Sequence, residues 1–257
     1  MKISVIVVNF NGKNYIADCL DSVLKTDFND FEIVVVENGS NDGSWQLLNK
    51  KYKKIRLVKL IKSSENLFFT GGGNLGAKKA KGEWLVFLNA DTVADKNWLK
   101  EMVKLVKHKR LIQPKIKIYQ TNKIDCVWGD YLWPGWGRAH GRGETDKGQY
   151  EVNRQADYAN GTCLMIEKKF FLELGGFDEN FKFFYEDVDL NLRARKQGGQ
   201  AWYGAKAMIW HKGSLSFKQN VASETVQYYY HRNRKLTVMK NFKGIDRRIR
   251  LAVLGLV

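Results

Sequence analysis

Residues 3–8, ISVIVV, form a nearly continuous run of β-branched side chains, and this run decides the fold class. Such a run is typical of a parallel strand that is buried on both faces. Residues 14–24 follow with apolar side chains at helical spacing, and strands and helices then alternate as far as residue 107. This order predicts an α/β fold with a mostly parallel sheet and helices on both of its faces.

The second half of the chain has a different composition. Residues 119–157 are rich in Gly, Trp and Tyr, which predicts loops and short antiparallel strands. Residues 186–197 predict a helix that ends at two glycines. The complete set of predicted elements is strands 3–8, 32–36, 55–60, 84–88, 201–203 and 207–210, and helices 14–24, 44–52, 74–80, 97–107, 186–197 and 221–241.

Composition places the chain among globular proteins. Its 257 residues are 44% hydrophobic, which suits one large domain or two merged halves with a real core. The three cysteines are scattered and have no CxxC spacing, so we expect buried thiols in a reducing compartment. Residues 3–9 resemble a strand with no cleavage site after it, and no apolar run reaches 18 residues. These features predict a cytoplasmic protein.

The formal net charge of +16 predicts an anionic partner. Nucleic acid, anionic lipid and phosphorylated substrates all carry the required charge, but the basic residues do not form one stripe with interleaved aromatic residues. We therefore expect no nucleic acid partner. Basic residues are densest in 232–250, just before the apolar residues 251–257. This pattern fits peripheral association with an anionic membrane surface, and it fits a solvated helix with one packed face equally well.

Several polar residues lie where the predicted strands end, and ligands of such sheets bind beyond the carboxyl ends of the strands. A carboxylate at a strand end, such as Asp91, can hold a divalent metal that in turn holds a diphosphate. Glu37 can accept the imide N–H of a uracil or thymine ring, although residues 37–44 also favour turn and capping chemistry. The candidate nucleotide contacts at strand ends are Asn9, Asn11, Glu37 and Asn89.

Residues 66–76, NLFFTGGGNLG, contain the spacing GxGxxG, and Asp91 follows about twenty residues after its first glycine. This spacing suits a dinucleotide-binding fingerprint, but that fingerprint belongs after the first strand of its unit. We favour a loop whose glycines let the backbone approach a nucleoside. Asn66, Gly72 and Asn74 are then candidate nucleotide contacts, and a plain loop at the start of a helix is the alternative.

Residues 183–189, FFYEDVD, place three acids behind an aromatic run. Acids in a first helical turn complement the helix dipole, and Asp189 has Arg193 four residues later, so we interpret Asp189 as structural. Glu186 and Asp187 follow the aromatic residues directly. A desolvated carboxylate there would have a raised pKa, which suits a general base.

Four residues outside these motifs complete the set of candidates. His211 follows the last predicted strand, and an imidazole would shift a mixed oxygen and nitrogen site towards Mn²⁺ over Mg²⁺. Arg232 and Asn233 lie on the last predicted helix, either as contacts to a diphosphate or an acceptor or as part of a solvated basic face. Trp136 lies in the Gly- and Trp-rich region, where an aromatic ring suits the face of a sugar or covers the edge of the core.

Taken in order, these motifs resemble those of glycosyltransferase family 2, the inverting enzymes of the GT-A fold, and most closely its rhamnosyltransferase-like branch. The resemblance covers roughly residues 1–240 and implies a Rossmann-like GT-A sheet with a mixed acceptor-side half and a helical tail. It also implies transfer of a sugar from a UDP- or dTDP-sugar, with dTDP-rhamnose favoured, to a hydroxyl of a glycan or lipid-linked acceptor in cell-surface polysaccharide synthesis. A divalent metal, Mn²⁺ or Mg²⁺, is implied as the cofactor.

Residue by residue, the resemblance makes Asp187 the catalytic base, with Glu186 beside it for the acceptor. Asp91 matches the last acid of the family's DxD motif, and His211 matches a histidine that can reach the metal or the diphosphate. Glu37 stands where the family usually has an aspartate for the base ring. Asn89 replaces the first aspartate of DxD.

The resemblance also implies three segments, and two alternative functions remain. Residues 1–118 form the nucleotide-sugar-binding half, residues 119–220 the acceptor-binding and catalytic half, and residues 221–257 a basic helical segment with the two open interpretations given above. One alternative is an NAD-dependent oxidoreductase that uses residues 71–76. The other is a non-catalytic module that binds polyanions or the inner face of the cell membrane, and the acids at 91, 186 and 187 argue against it.

Overall fold

The computed structural model describes residues 2–213 and 222–255. Its strands are β1 (Ile3–Asn9), β2 (Phe31–Asn38), β3 (Val58–Ser63), β4 (Trp84–Asn89), β5 (Thr92–Ala94), β6 (Arg110–Ile118), β7 (Ile124–Cys126), β8 (Gly129–Leu132), β9 (Trp136–Ala139), β10 (Arg154–Ala156), β11 (Cys163–Glu167) and β12 (Gln200–His211). Its α-helices are α1 (Ile16–Leu24), α2 (Ser44–Tyr52), α3 (Phe68–Lys79), α4 (Trp98–Val103), α5 (Lys168–Glu173), α6 (Glu186–Lys196), α7 (Ser223–Asn241) and α8 (Gly244–Val253). A short 3₁₀ helix spans Glu179–Phe181.

One large mixed sheet organises the described residues. Its strand order is β10-β12-β6-β11-β4-β1-β2-β3, with β5 added to β12 and β7 added to β6. The pairs joining β4, β1, β2 and β3 are parallel, as is the pair β12-β6, whereas β11 runs antiparallel to both of its neighbours. Strands β8 and β9 form a separate hairpin. The predicted mostly parallel α/β sheet is confirmed.

The sheet is covered on both faces because its central strands are apolar on both sides. In β1, Val5 and Val7 pack into one core with α1, α2 and α4, whereas Ile6 packs into a second core with α3, α5 and α6. All three valine and isoleucine side chains are buried. The continuous β-branched run at the start of the chain therefore reflects burial from two directions.

Residues 71–76 lie inside α3 and not in a loop, so the predicted nucleoside-binding loop is wrong. A Cβ at Gly72 would lie 2.7 Å from Cγ1 of Val8, and one at Gly76 would lie 2.5 Å from Cγ2 of Ile6. These glycines allow the helix to pack closely on β1, which explains their spacing without a dinucleotide. The oxidoreductase alternative loses its only sequence support.

Other differences concern element boundaries and missed elements, which are the strands β5, β6 and β11 and the helix α5. Strand β6 was not predicted, because Pro114 interrupts its pattern and two of its polar residues, Gln113 and Lys115, are buried. Strand β12 runs continuously through an irregularity between Gly204 and Met208, where two short strands were predicted. Helix α4 is shorter than predicted, β3 is displaced by three residues, and the predicted start of the last helix at residue 221 lies outside the described residues.

Candidate functional site

A cavity of about 230 Å³ opens where β4 and β12 end and β11 begins. Because β11 is antiparallel to β4, the start of β11 lies at the same edge of the sheet as the end of β4. The cavity is lined by residues from distant parts of the chain, and the argument uses Asn89, Asp125, Gly161, Glu186, Asp187 and His211. Four of these six were predicted from the sequence, and the fold brings them into one space.

His211 connects two carboxylates at one end of the cavity. Its Nε2 lies 3.3 Å from Oδ1 of Asp91, and its Nδ1 lies 2.7 Å from Oδ2 of Asp125. Burial alone would lower the pKa of His211, but the hydrogen bonds with Asp125 and Asp91 raise it to about 9. Burial alone would likewise raise the pKa of Asp125, yet the hydrogen bond with His211 holds it below the usual value.

The chemistry of this end of the cavity fits a divalent cation. Asp91 is 1% exposed and His211 is 5% exposed, so the pair supplies oxygen and nitrogen donors in a largely dry position. Within residues 2–213 and 222–255, no three His, Cys, Asp or Glu side chains form a metal-binding group. An ion here would therefore complete its coordination with phosphate oxygens and water, as Mg²⁺ and Mn²⁺ commonly do.

Asp187 and Glu186 lie at the start of α6 and face the same cavity. Asp187 accepts hydrogen bonds from the backbone N–H groups of Gly161 at 2.8 Å and Val188 at 2.7 Å. Burial raises the pKa of Asp187 despite these two bonds. Burial and the negative charge of Asp187 raise the pKa of Glu186 well above its usual value, and Oε2 of Glu186 has no hydrogen-bond partner among the described residues.

The turn that leads into α6 has an unusual backbone. Lys182, Phe184 and Tyr185 have φ values of 62°, 64° and 66°. Residues other than glycine rarely adopt this region of backbone conformation. The buried amide of Asn233 donates hydrogen bonds to the backbone carbonyls of Phe181, Phe183 and Phe184 at 2.7, 2.7 and 3.0 Å. Helix α7 thus holds the strained turn that positions the two carboxylates.

This arrangement corrects the expectation for Asn233. Its side chain is fully buried and binds the backbone, so it does not reach a diphosphate or an acceptor. Arg232 is engaged in a similar way, because its Nη1 donates to the carbonyl of Asn180 at 2.7 Å and to Oδ1 of Asn233 at 2.8 Å. Both residues connect α7 to the turn, a role that sequence spacing gave no means of recognising.

The strand-end residues of β1 and β2 bind one another. Nδ2 of Asn9 donates to Glu37 at 2.6 Å, and the N–H of Ser40 donates to the other oxygen of Glu37 at 2.9 Å. Asn11 donates its N–H to Oγ of Ser40 and accepts from the N–H of Asn41. The turn interpretation of this stretch is therefore correct, and each oxygen of Glu37 already accepts one hydrogen bond from the protein.

Two further candidates also bind the protein itself. Oδ1 of Asn66 accepts from the N–H of Phe68 and from Nδ2 of Asn38. The amide of Asn74 binds the N–H and the carbonyl of Phe177, which fixes α3 to the loop after α5. Asn74 therefore does not point at a nucleoside as expected, because its hydrogen-bonding groups face that loop.

Asp125, Gly161 and Asn160 are parts of the site that sequence reasoning missed. Asp125 lies on the short strand β7, and Gly161 lies beside Asn160 in the loop before β11. None belongs to a recognisable motif, and each reaches the cavity only through sheet pairing. Asp189 was interpreted correctly as structural, since it is fully buried and accepts from Arg193 at 2.7 Å and Asn241 at 2.8 Å.

Sequence comparison finds one family and several partial relatives. The profile described as Glycosyl transferase family 2 matches residues 4–175. The chain is 29% identical to the O-antigen biosynthesis protein RfbC of Myxococcus xanthus, over 87% of this chain and 18% of that protein. It is 36% identical to the poly(ribitol-phosphate) beta-N-acetylglucosaminyltransferase TarS of Staphylococcus aureus, over 39% of this chain and 18% of that protein. The aligned part is thus about a fifth of these relatives' length.

Solved structures share the fold at low identity. A crystal structure of S. aureus TarS residues 1–349 matches with a TM-score of 0.65 and 20% identity, over 99% of this chain and 69% of that one. A structure of GalNAc-T7 with UDP, GalNAc and Mn²⁺ matches with a TM-score of 0.70 and 20% identity, over 90% of this chain and 48% of that one. Both similarities support the GT-A architecture.

We expect Asn233→Ala to lower the free energy of unfolding by about 2–4 kcal/mol, because it leaves three carbonyls of a strained turn without their donor. Chemical denaturation measures this change. Gln227→Ala, which removes an exposed amide from the same helix, is the matched control and should change stability by less than about 0.5 kcal/mol. Equal stability of the two variants would contradict the role given to Asn233.

Proposed function

Since the chain belongs to glycosyl transferase family 2, we propose that it transfers a sugar from a nucleoside diphosphate donor to a hydroxyl group of a glycan or lipid-linked acceptor. One observation supports this proposal above the others. His211, which contacts the strand-end Asp91, lines the same cavity as the buried Glu186 and the half-buried Asp187. A direct displacement requires that the group holding the diphosphate and the group accepting the proton border the same cavity.

The proposed donor is a UDP- or dTDP-sugar. A crystal structure of S. aureus TarS residues 1–349 contains UDP-GlcNAc. The motifs of this chain resemble the rhamnosyltransferase-like branch, which favours dTDP-rhamnose. The polar turns after β1 and β2 supply the nearest hydrogen-bonding groups for a base and a ribose, through Asn9, Asn11 and Glu37. The RfbC relative, which is named for O-antigen biosynthesis, supports an acceptor in polysaccharide synthesis.

Asp91 and His211 are the residues that would hold Mn²⁺ or Mg²⁺. Such an ion would neutralise charge that develops on the leaving nucleoside diphosphate. At this end of the cavity the protein orients the imidazole of His211. Asp125 fixes the imidazole of His211 through Nδ1, which leaves Nε2 directed at Asp91. Asn89, at the end of β4, adds an amide to the wall of the cavity.

Asp187 is the proposed base for a single displacement with inversion. Its carboxylate takes the proton of the acceptor hydroxyl while the oxygen attacks the anomeric carbon and the bond to the diphosphate breaks. The N–H groups of Gly161 and Val188 hold the carboxylate in place. Its raised pKa makes it a stronger proton acceptor, and transfer should therefore be lost as the pH falls below that pKa. Glu186 lies beside it to orient the acceptor.

The helix α8 is proposed to bind an anionic bilayer surface. Ile245, Ile249 and Val253 are at least half exposed and recur every four residues, so they form one stripe. The side of α8 that carries Arg250 binds the β8–β9 hairpin, since Nη1 of Arg250 donates to the carbonyl of Pro134 at 3.0 Å. The neighbouring Arg247 and Arg248 are exposed, and an apolar stripe with this charge complements anionic lipid. None of the described helices has the length and hydropathy to cross a bilayer.

Asp187→Asn should lower the rate of nucleotide release from a panel of UDP- and dTDP-sugars by about 10²–10⁴-fold, the usual contribution of a general base. Nucleotide binding should stay within about twofold, because the amide keeps the shape of the side chain. The matched control is Asp27→Asn at an exposed surface acid, which should leave the rate unchanged. Turnover at the parent rate in Asp187→Asn would remove this residue as the base.

Asp91→Ala should abolish the part of UDP binding that depends on Mn²⁺. Calorimetry of the parent protein should show tighter UDP binding with Mn²⁺ than with EDTA, and the variant should show the EDTA affinity under both conditions. The same titration of Asp27→Asn serves as the control. Mn²⁺-dependent binding that survives in Asp91→Ala would place the ion elsewhere.

Ile249→Asp should reduce co-sedimentation with phosphatidylglycerol vesicles, because it places a negative charge in the apolar stripe of α8. Val152→Asp, at an exposed valine outside the helix, should sediment like the parent protein. Vesicles of phosphatidylcholine should bind all three proteins weakly. Equal binding of the three proteins to the anionic vesicles would contradict the proposed surface.

A further inference from the structure

Arg234 is a buried cation whose hydrogen-bonding capacity is largely unused. Its side chain on α7 is 4% exposed, and neither Nε nor Nη1 has a hydrogen-bond partner among the described residues. Its guanidinium stacks on an aromatic ring, with Cζ 3.9 Å from the ring centroid of Trp136. A guanidinium has five N–H donors, which lie in its plane. The contact with Trp136 covers the flat face of the group and provides no acceptor for these donors.

Such an arrangement is unfavourable unless an anion completes it. A buried charge without an ionic partner is costly, and a cation–π contact offsets only part of that cost. Two carboxylates on neighbouring elements already have cationic partners, since Asp130 binds Arg138 and Asp246 binds Arg250. Glu186 and Asp187 on α6 have no cationic partner, but neither forms an ion pair with Arg234 among the described residues. Among the described residues, the chain therefore supplies Arg234 with the ring of Trp136 but with no anion.

Arg234 lies close to the proposed catalytic cavity. Trp136 begins β9, and the N–H of the next residue, Gly137, donates to the hydroxyl of Tyr185 at 3.4 Å. Tyr185 lines the cavity directly before Glu186. Burial raises the pKa of Tyr185, and the positive charge of Arg234 opposes this rise. An acceptor that extends out of the cavity past Tyr185 would meet Trp136 and Arg234.

The exposed ring of Trp136 indicates the chemical unit that would lie beside the bound anion. Trp136 is 42% exposed although one of its faces is covered by Arg234. The exposed part can pack against the C–H groups of a sugar or polyol, while the guanidinium fork matches the two oxygens of a phosphate or carboxylate. The net charge of +16 would attract such an acceptor from a distance.

We propose that Arg234 and Trp136 form an acceptor subsite that binds an oxyanion, a phosphate ester or a carboxylate, next to a sugar or polyol unit. This subsite rests on the proposed transfer to a hydroxyl group, since it lies on the side of Glu186 and Asp187. It assigns the acceptor to an anionic class, such as a polyol phosphate or an acidic glycan. Arg234 contributes the charge, and Trp136 contributes a surface for the unit beside it.

Binding of small probes to the full chain tests this subsite without any need for turnover. sn-Glycerol 3-phosphate and D-glycerate carry the two candidate oxyanions on a polyol, and glycerol is the uncharged match. Titrations followed by tryptophan fluorescence and calorimetry should show binding of at least one charged probe and none of glycerol. The stronger of the two charged probes identifies the oxyanion as phosphate or carboxylate.

Variants separate this subsite from general electrostatic attraction. Arg234→Gln should lower the affinity for the charged probe by about tenfold or more, the usual loss when a charge-assisted hydrogen bond is removed. Arg248→Gln removes one charge from an exposed site and should change the affinity by less than about twofold. Trp136→Leu removes the exposed ring surface and should also weaken binding of the probe. Because Trp136 covers one face of Arg234, the thermal midpoint of this variant is measured alongside, and a folded Trp136→Leu decides the question if Arg234→Gln is unstable.

Three outcomes would overturn the subsite. They are absence of probe binding by the parent protein, equal losses in Arg234→Gln and Arg248→Gln, and loss of Mn²⁺-dependent UDP binding in a folded Arg234→Gln. The last outcome would indicate that Arg234 binds the diphosphate of the donor and not the acceptor. Because the probe titrations contain no donor sugar, a failure here is distinct from a failure of the proposed transfer, which the donor panel reports.

Discussion

Partial desolvation of two adjacent carboxylates is the constraint on which the rest of the site depends. Glu186 is buried, Asp187 is half-buried, and the two repel each other, so their charged forms are costly unless the surrounding backbone is fixed. The protein meets this cost with N–H groups from Gly161 and Val188 and with a left-handed turn before α6. The side chain of Asn233 then holds that turn from the opposite side.

The C-terminal helix α7 therefore supports the candidate site as well as forming part of the surface. Helix α7 supplies Asn233 to the turn and Asn241 to the buried Asp189, so it supports both ends of the acidic segment. The same helix carries Arg234 against Trp136. A segment with the sequence pattern of a basic tail thus fixes the turn that positions the two carboxylates.

The two halves of the sheet contribute different chemistry to one edge. The parallel strands β1, β2 and β4 end in polar turns, which is where ligands of α/β sheets bind. The strands β7, β11 and β12 return from the second half and bring Asp125, Gly161 and His211 to the same edge. Pairing of β12 with β5 sets His211 opposite Thr92, one residue after Asp91, and this register produces the contact between the histidine and the acid.

Much of the fold followed from local patterns. The β-branched run of β1, the alternation up to α4 and the exact bounds of α2 could be predicted because burial on two faces and helical periodicity leave a signal within a few residues. Strand β6 could not, because its buried Gln113 and Lys115 are satisfied by partners far along the chain. The glycines of α3 were misread as a loop because close helix packing and a flexible turn call for the same residue.

The sequence by itself determined the family, the parallel core and the identity of the acids at the strand and helix ends, since each depends on residues adjacent in the chain. Only the tertiary structure decided which of them share a cavity and which serve the protein itself. Asn74 and Asn233 have the polarity of ligand contacts, yet both bind backbone groups about 50 to 100 residues away. Asp125 and Arg234 acquire their significance from burial and from neighbours supplied by other elements, and neither property is written in the local sequence.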